Sequence, residues 1–346
     1  MMQDLKNKTF DEIQQLVARL GEKNFLAGYI FSFVHRQGAA DISDITPLSK
    51  AFRTQLTEQG YYISQLKKIH LVADTAGTAK YLFELPDGNR IEAVLLPDAG
   101  RKTVCISTQA GCPMNCTFCA TAKLGFHRNL TTAEIVDQVY SIRNDNHKIS
   151  NVVYMGMGEP LKNYDPVVRS IRILNHPDGI NIGTRHLTVS TCGIPDAIEK
   201  LVGEDVHPRL AISLNAPTDT LRNKLMPVNH KYPIASILKA VRSYQLRTAR
   251  RVTFEYVLIK DLNDKADDAR SLARLVKNLK CNVNLIEYNP HQGCDFAASS
   301  KKVIKRFADV LEQAGIETNI RFRKGRKINA GCGQLGSAWL ADSAAH

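Results

Sequence analysis

An α/β architecture of parallel βα units, closed into a full or partial barrel, is what this sequence predicts. Two patterns lead to it. From about Asp98 onward, short apolar strands alternate with amphipathic helices, the pattern of helices packed outside a parallel sheet. Before that point the periodicity is first helical and then strand-like. Thr9-Phe10-Asp11-Glu12 reads as a capping box ahead of Leu16, Val17 and Leu20, with Gly21 as the stop. Asn24–Arg36 and Pro47–Gln59 read as two more short helices. Strands follow at Ile69–Val72, Tyr81–Leu85 and Ile91–Leu96, the last two joined by the turn Pro86-Asp87-Gly88-Asn89. The barrel strands are expected at Val104–Thr108, Asn151–Met155, His186–Thr191, Arg209–Leu214, Val252–Leu258 and Val283–Tyr288. Helices are expected between them, among them Thr131–Arg143, with a second capping box from Thr131 to Glu134, and Asp264–Lys277. The resulting division is a helical accessory domain (1–65), a strand hairpin extension (66–97), the barrel core (98–326) and a C-terminal tail (327–346).

Composition narrows the class. A chain of 346 residues that is 44% hydrophobic can bury one large core and a small accessory unit. The N-terminus lacks an apolar leader and no stretch is long enough to span a membrane. Eight cysteines without a leader indicate a reducing, cytoplasmic setting in which thiols do chemistry or bind metal. Lys plus Arg number 46 against 34 for Asp plus Glu, a formal charge of +12. That excess suits a polyanionic partner such as RNA. Candidate phosphate contacts are Arg247, Arg250 and Arg251 before the fifth barrel strand, and Arg321, Arg323, Lys324, Arg326 and Lys327 before the tail; the second group is better placed for the chemistry.

The densest chemical signal is Gly-Cys-Pro-Met-Asn-Cys-Thr-Phe-Cys-Ala, which places Cys112, Cys116 and Cys119 in a CxxxCxxC spacing. Structural zinc normally takes four ligands, and no fourth Cys or His stands at a matching interval. Three soft thiolates suit a 4Fe-4S cluster with one iron left open for a small molecule. With Phe118 beside the last cysteine, the motif is similar to that of the radical S-adenosylmethionine (SAM) enzymes. That resemblance implies a partial (β/α)6-type radical SAM barrel. Active-site residues of such a barrel gather at the carboxyl ends of its strands, which selects a further set. Gly158 and Glu159 lie in the loop Met155-Gly156-Met157-Gly158-Glu159-Pro160, where glycine permits close backbone approach and the carboxylate can meet the SAM ammonium or ribose. Ser190, Ser213, Leu214, Asn215 and Asn289 stand at or just past strand ends as candidate SAM contacts, although Ser and Asn there often serve only as turn or cap residues.

Two further cysteines, Cys105 on the first barrel strand and Cys332 in Ala330-Gly331-Cys332-Gly333-Gln334-Leu335, would each be inert if taken alone. Taken with Phe118-Cys119-Ala120-Thr121, Arg128-Asn129-Leu130-Thr131, Gly158-Glu159-Pro160-Leu161 and Leu225-Met226-Pro227-Val228-Asn229, they resemble the RlmN/Cfr family of RNA methyltransferases over nearly the whole chain. The resemblance implies methylation of C2 of an adenosine in 23S rRNA and in tRNA, using two SAM per turnover. Pro160 favours this over C8 methylation, the Cfr-type alternative. One SAM would methylate Cys332, and a second, cleaved reductively on the cluster, would turn that methyl into a methylene radical that adds to the adenine. Glu92 would remove the proton from the substituted carbon, its partial burial tuning it as a base. Cys105 would then attack Cys332, release the RNA and leave a transient disulfide. The implied partners are 23S rRNA, tRNA, a one-electron reductant such as flavodoxin and a thiol reductant, with no membrane contact, for a monomeric enzyme. Cys192, Cys281 and Cys294 match no functional position and read as structural. The tail departs from the family in carrying Lys327 and Asn329 where acidic residues are usual, which bears on substrate preference and not on reaction class. Outside this family, a glycyl-radical activating enzyme would not need Cys105 or Cys332, and a non-catalytic iron–sulfur RNA-binding protein would not need the Gly-Glu loop.

Overall fold

The computed structural model describes residues 2–98, 100–321, 325 and 328–339. Ten strands form one sheet: β1 (Lys67–Ala73), β2 (Ala79–Glu84), β3 (Arg90–Asp98), β4 (Arg101–Cys105), β5 (Asn151–Tyr154), β6 (Leu187–Thr191), β7 (Arg209–Ser213), β8 (Val252–Leu258), β9 (Cys281–Glu287) and β10 (Thr318–Arg321). Each of the ten neighbours the next of them in the chain, and among the described residues the two edges, β1 and β10, do not pair. β1–β4 run antiparallel and β4–β10 parallel. The result is an open barrel of seven parallel strands, extended on one side by an antiparallel meander. The sequence led us to expect six parallel strands. The seventh, β10, is a four-residue edge strand of half-exposed, largely polar residues, too short and too polar to show alternation.

Pleating sorts the barrel residues into two faces. Val104, Val152, Val189, Leu210, Ile212, Phe254, Tyr256, Val283 and Leu285 point outward and are fully or almost fully buried under the helices. Tyr256, for example, packs on Phe307 of the helix Lys301–Gln313. The register places Cys105, Val153 and Thr188 on the opposite face, toward the barrel lumen, and Ser213, Glu255 and Asn284 in one row of that face. So the outer wall supplies the hydrophobic stabilisation, and the polar residues available for chemistry line the inside.

The N-terminal helices Phe10–Arg19, Leu26–Ser32 and Lys50–Glu58 form as the pattern predicts. The Thr9 N–H donates to the Glu12 carboxylate at 2.8 Å, and Thr131 and Glu134 complete the second capping box of the helix Thr132–Asn144. That helix and Tyr164–Asn175 are where the N-terminal unit docks. Lys6 forms a fully buried ion pair with Asp137, whose second oxygen accepts the Leu66 N–H. Asn7 accepts the Ala133 N–H at 2.8 Å through its side chain. Breaking either end of the Lys6–Asp137 pair would strand a buried charge.

His35 lies in this junction, fully buried, with Nδ1 2.9 Å from the Tyr140 hydroxyl. Burial, reinforced by the Lys6 charge, pushes its imidazole down to about 3. The unfolded chain therefore binds a proton that the folded chain refuses, and stability must fall as pH drops from about 6.5 toward 3. At pH 5 the His35 contribution should be smaller than at neutrality by about 2 kcal/mol. Melting curves of wild type and His35→Gln should converge on acidification; a gap that does not change between pH 7 and pH 5 would show that His35 is not the group being titrated.

Candidate radical SAM active site

Cys112, Cys116 and Cys119 lie on the loop between the short strands Gln109–Gly111 and Phe126–Asn129, which pair antiparallel just beyond β4. The loop is held by its backbone. Cys112 N–H donates to Gly125 O at 2.8 Å, Thr117 N–H to Leu225 O at 3.0 Å, and Ala120 N–H to Gly333 O at 2.8 Å. Asn115 takes the left-handed conformation at the loop's sharp bend, φ 54°. Cys112 is buried, and Cys116 and Cys119 are half-buried. Burial pushes all three thiols up, Cys112 to about 12, with neighbouring sulfurs adding to the effect at Cys112 and Cys116.

The Gly-Glu loop follows β5. A Cβ on Gly156 would lie 2.7 Å from the Ile106 carbonyl and the Ser107 hydroxyl, and one on Gly158, at φ +97°, 2.6 Å from the Gln109 side chain. The glycines therefore let this loop press against the segment after β4, and the close approach they permit is to protein. Glu159 is buried; its Oε2 accepts the Cys192 N–H at 2.8 Å and its Oε1 the Leu161 N–H at 3.0 Å. Burial raises its pKa, opposed by those N–H donors. The carboxylate so ties the loop after β5 to the end of β6, and lone pairs remain for a further donor.

The hydroxyls of Ser190 and Ser213 are 3.4 Å apart at the top of β6 and β7. Leu214 is fully buried and its carbonyl accepts from Arg222 Nε at 3.0 Å. The Asn215 side chain is committed to the barrel wall, accepting the Val257 N–H at 2.9 Å and donating to Met226 Sδ. Asn289 donates to the Cys332 carbonyl at 3.1 Å, while its buried Oδ1 has no protein partner.

The tail closes the site. Asn289 and the cluster loop hold the turn at Cys332 and Gly333, Thr121 Oγ1 donates to Leu335 O at 2.8 Å, and the Gly336 N–H donates to Glu92 Oε2 at 2.8 Å. Cys332 is solvent-accessible, and Cys105 lies at the lumen end of β4, buried, where the Cys332 thiol adds to the effect of burial in raising its pKa. Burial pushes the Cys105 thiol up; at Cys332 the protein packed around the thiol does the same although part of the residue reaches solvent, and Arg321 opposes the rise at each. All eight cysteines, these two included, are free thiols. Glu92 is 2% exposed and also pairs with Lys80 at 2.8 Å, so its burial comes with an ammonium partner.

Known proteins can now be set beside this geometry. Residues 106–273 match the model of the Radical SAM superfamily, and residues 3–61 that of the Ribosomal RNA large subunit methyltransferase N-terminal domain. The dual-specificity RNA methyltransferase RlmN of Geotalea uraniireducens is 44% identical over 96% of both chains. That of Geobacter sulfurreducens is 43% identical over 96% of this chain and 92% of its own. The chain belongs to the RlmN family. In structure it is similar to a radical SAM methyltransferase from Sphaerobacter thermophilus, with 41% identity and a TM-score of 0.91 over 97% of this chain and 100% of that one. It is thus a radical SAM methyltransferase with the α/β barrel class that the sequence led us to expect, one parallel strand longer.

Membership in the RlmN family implies a 4Fe-4S cluster and SAM, and the donor set fits them. Among the described residues no group of three or more His, Cys, Asp or Glu could hold a metal ion, but a four-iron cluster spreads its thiolates over separate irons. Buried thiols pushed up as these are need a cationic metal to ionise. The orphaned Asn289 Oδ1 awaits a donor such as the SAM molecule presents.

Other residues of the site escaped sequence reasoning. Arg222, fully buried on the helix Asp219–Leu225, directs its donors at Leu214 O, Asn229 Oδ1, Tyr232 O, Cys192 O and Ser213 O. It joins the loops after β6 and β7, and among the described residues no carboxylate forms an ion pair with it. Gln109 accepts the Glu159 N–H at 2.8 Å, and Lys80 pairs with Glu92. In the sequence these look like ordinary polar residues; only their partners, far away in the chain, distinguish them. Cys192 touches Met114 and Cys294 touches the Thr117 carbonyl, so both pack against the cluster loop, whereas Cys281 lies near Val276 O. Arg247, Arg250 and Arg251 precede β8 and so sit at the amino end of the barrel, away from the cluster loop; Arg250 bonds Thr184 and Arg251 pairs with Glu317. Arg323, Lys324, Arg326 and Lys327 lie outside the described residues. Asn329 adopts the left-handed φ of 50° that Asn tolerates. No helix among the described residues is long and apolar enough to cross a membrane.

Proposed function

We propose that this enzyme methylates C2 of an adenosine in 23S rRNA and in tRNA, with Cys332 as methyl carrier and Cys105 as the thiol that releases the product. The observation that carries the reading is the pinned tail: Asn289, the cluster loop and Glu92 all bond the segment that presents Cys332. A tail with no part in the reaction would not need anchors from the cluster loop and from a buried carboxylate together.

When bound, the cluster and two SAM molecules supply a methyl group and a one-electron route for removing a hydrogen atom from it. The chain does the rest. Cys112, Cys116 and Cys119 would hold three irons, and Glu159, Ser190, Ser213, Asn289 and the backbone about Gly158, Leu214 and Asn215 would surround SAM. Cys332, ionised with help from Arg321, would take the methyl group by displacement. An adenine C2 carbon has no acidic proton to lose beforehand, so the new bond must form through a carbon radical borne on the Cys332 sulfur. Once it has formed, and with the cluster as the place for the odd electron, Glu92 would take the proton from the substituted carbon. Cys105 then forms an S–S bond with Cys332 as the S–CH2 bond breaks, and the departing carbon takes that electron pair and a proton to become the methyl group. A thiol reductant would reset the pair. The target base must be unstacked to reach Cys332. The cytoplasm is the expected compartment, since these thiols must be free at the start of each cycle.

Nucleoside analysis of RNA from cells with and without the gene tests the product. The expected result is 2-methyladenosine, present only with the gene, in both 23S rRNA and tRNA. The same carrier and the same cysteines would serve attack at C8, so 8-methyladenosine as main product would overturn the C2 assignment.

A further inference from the structure

Beside the cluster loop lies a cavity of about 390 Å³ that none of the roles above uses. Its walls include Arg90 from the start of β3, Lys123 and His127 from the segment after Cys119, Gly111 immediately before Cys112, Met157 of the Gly-Glu loop, and Trp339. Trp339 is the only tryptophan of the chain. We infer that this cavity holds the nucleotide next to the target adenosine, its base against the Trp339 indole and its phosphate among Arg90, Lys123 and His127. The inference rests on the RNA reading above and adds to it a place where the RNA backbone is gripped.

Four observations support it. The size falls in the range of a small-molecule site, large enough for one nucleotide. No lining residue is acidic, and Asp87, which adjoins the lining residue Gly88 in the chain, is already paired with Arg128. The Lys123 ammonium is steadied by the Gly293 carbonyl and keeps N–H donors to spare. Above all, the tail fixes the indole relative to the carrier thiol. Leu335 and Gly336 are held by Thr121 and Glu92, so the short stretch from Cys332 to Trp339 runs from the reaction centre to the cavity wall under restraint at its middle. A base flipped onto Cys332 leaves its neighbour unstacked, and an aromatic face flanked by cations is what an unstacked nucleotide binds.

The test uses full-length enzyme with its cluster reconstituted and a hairpin RNA bearing the target adenosine in its loop. Binding is followed by fluorescence anisotropy over a range of salt, and methylation is run in parallel with a chemical reductant and with flavodoxin. Trp339→Leu should weaken RNA binding on the order of tenfold with little change in salt dependence, and Trp339→Tyr should recover most of it. Arg90→Gln should weaken binding and lower the slope of log affinity against log salt by about 0.7, the contribution of one phosphate on a single strand. Iron content and the methyl group on the Cys332 peptide should be unchanged in all three, which separates an RNA effect from a misfolded tail. Wild-type affinity and salt slope in Trp339→Leu and Arg90→Gln would overturn the subsite while leaving the methyltransferase reading intact. So would loss of activity with flavodoxin alone, which would make this face the docking site of the electron donor. A wild-type enzyme that binds no RNA and bears no methyl on Cys332 would instead sink the reading on which the inference rests.

Discussion

Protein in which Cys112, Cys116 and Cys119 are all alanine should fold, bind no iron after anaerobic reconstitution, and cleave no SAM. Wild type treated in the same way should hold about four irons. Folding should survive because the loop is anchored by main-chain bonds that alanine retains: Cys112 N–H to Gly125, Thr117 N–H to Leu225 and Ala120 N–H to Gly333. Each truncation removes one buried or half-buried sulfur, a cost of about 1 kcal/mol. The functional loss should be complete, since the spacing provides three thiolates, and Cys192 and Cys294, which pack against the loop, stand outside that spacing. Any single alanine should give the same loss of cleavage. Full SAM cleavage by the triple variant would end the cluster assignment.

The second large effect separates the two remaining thiols of the site. Cys332→Ala should acquire no methyl group and form no adduct with RNA, because the carrier sulfur is gone. Cys105→Ala should do both and then stall, since only release requires an attacking sulfur. Protein purified from cells as Cys105→Ala should therefore carry covalently bound RNA, visible by its ultraviolet absorbance and removed by nuclease. The positions support this division of labour: Cys105 is fixed in the wall of the lumen on β4, and Cys332 is accessible on the tail. An RNA-free Cys105→Ala enzyme with normal turnover would make Cys105 a core residue and nothing more.

Much of the fold could be read from the sequence because it rests on strong local patterns. The barrel strands show because their outward residues are β-branched, aliphatic or aromatic and buried, as with Val252, Phe254, Tyr256 and Leu258. The cluster loop shows because its three cysteines lie within eight residues of chain. What stayed hidden is whatever depends on distant partners. Glu92 meets Lys80 only because β2 pairs with β3 in a register that sets Leu82 against Glu92 and Lys80 against Val94, leaving the two charges on one diagonal. Arg222 has the look of a solvated helix charge, and its burial becomes evident only once the loops after β6 and β7 close over it. The glycines of the Gly-Glu loop were expected to face a ligand; the adjacent wall of Ile106, Ser107 and Gln109, brought there by the β4–β5 pairing, is what they make room for. For Arg247, Arg250 and Arg251, position relative to strand polarity was the missing consideration, since residues before a barrel strand lie opposite the active face.

The path of the methyl carbon is the most direct measure of the account. SAM with a trideuterated methyl group is supplied until the methyl already on Cys332 has been turned over, and the product adenosine is analysed by mass. If the methyl group rests on Cys332, loses one hydrogen atom there, joins the adenine and is reprotonated when Cys105 displaces it, the product must carry two deuterium atoms and one hydrogen. Transfer in a single displacement from SAM to the base would deliver all three deuterium atoms, and a product with three would contradict the role of Cys332.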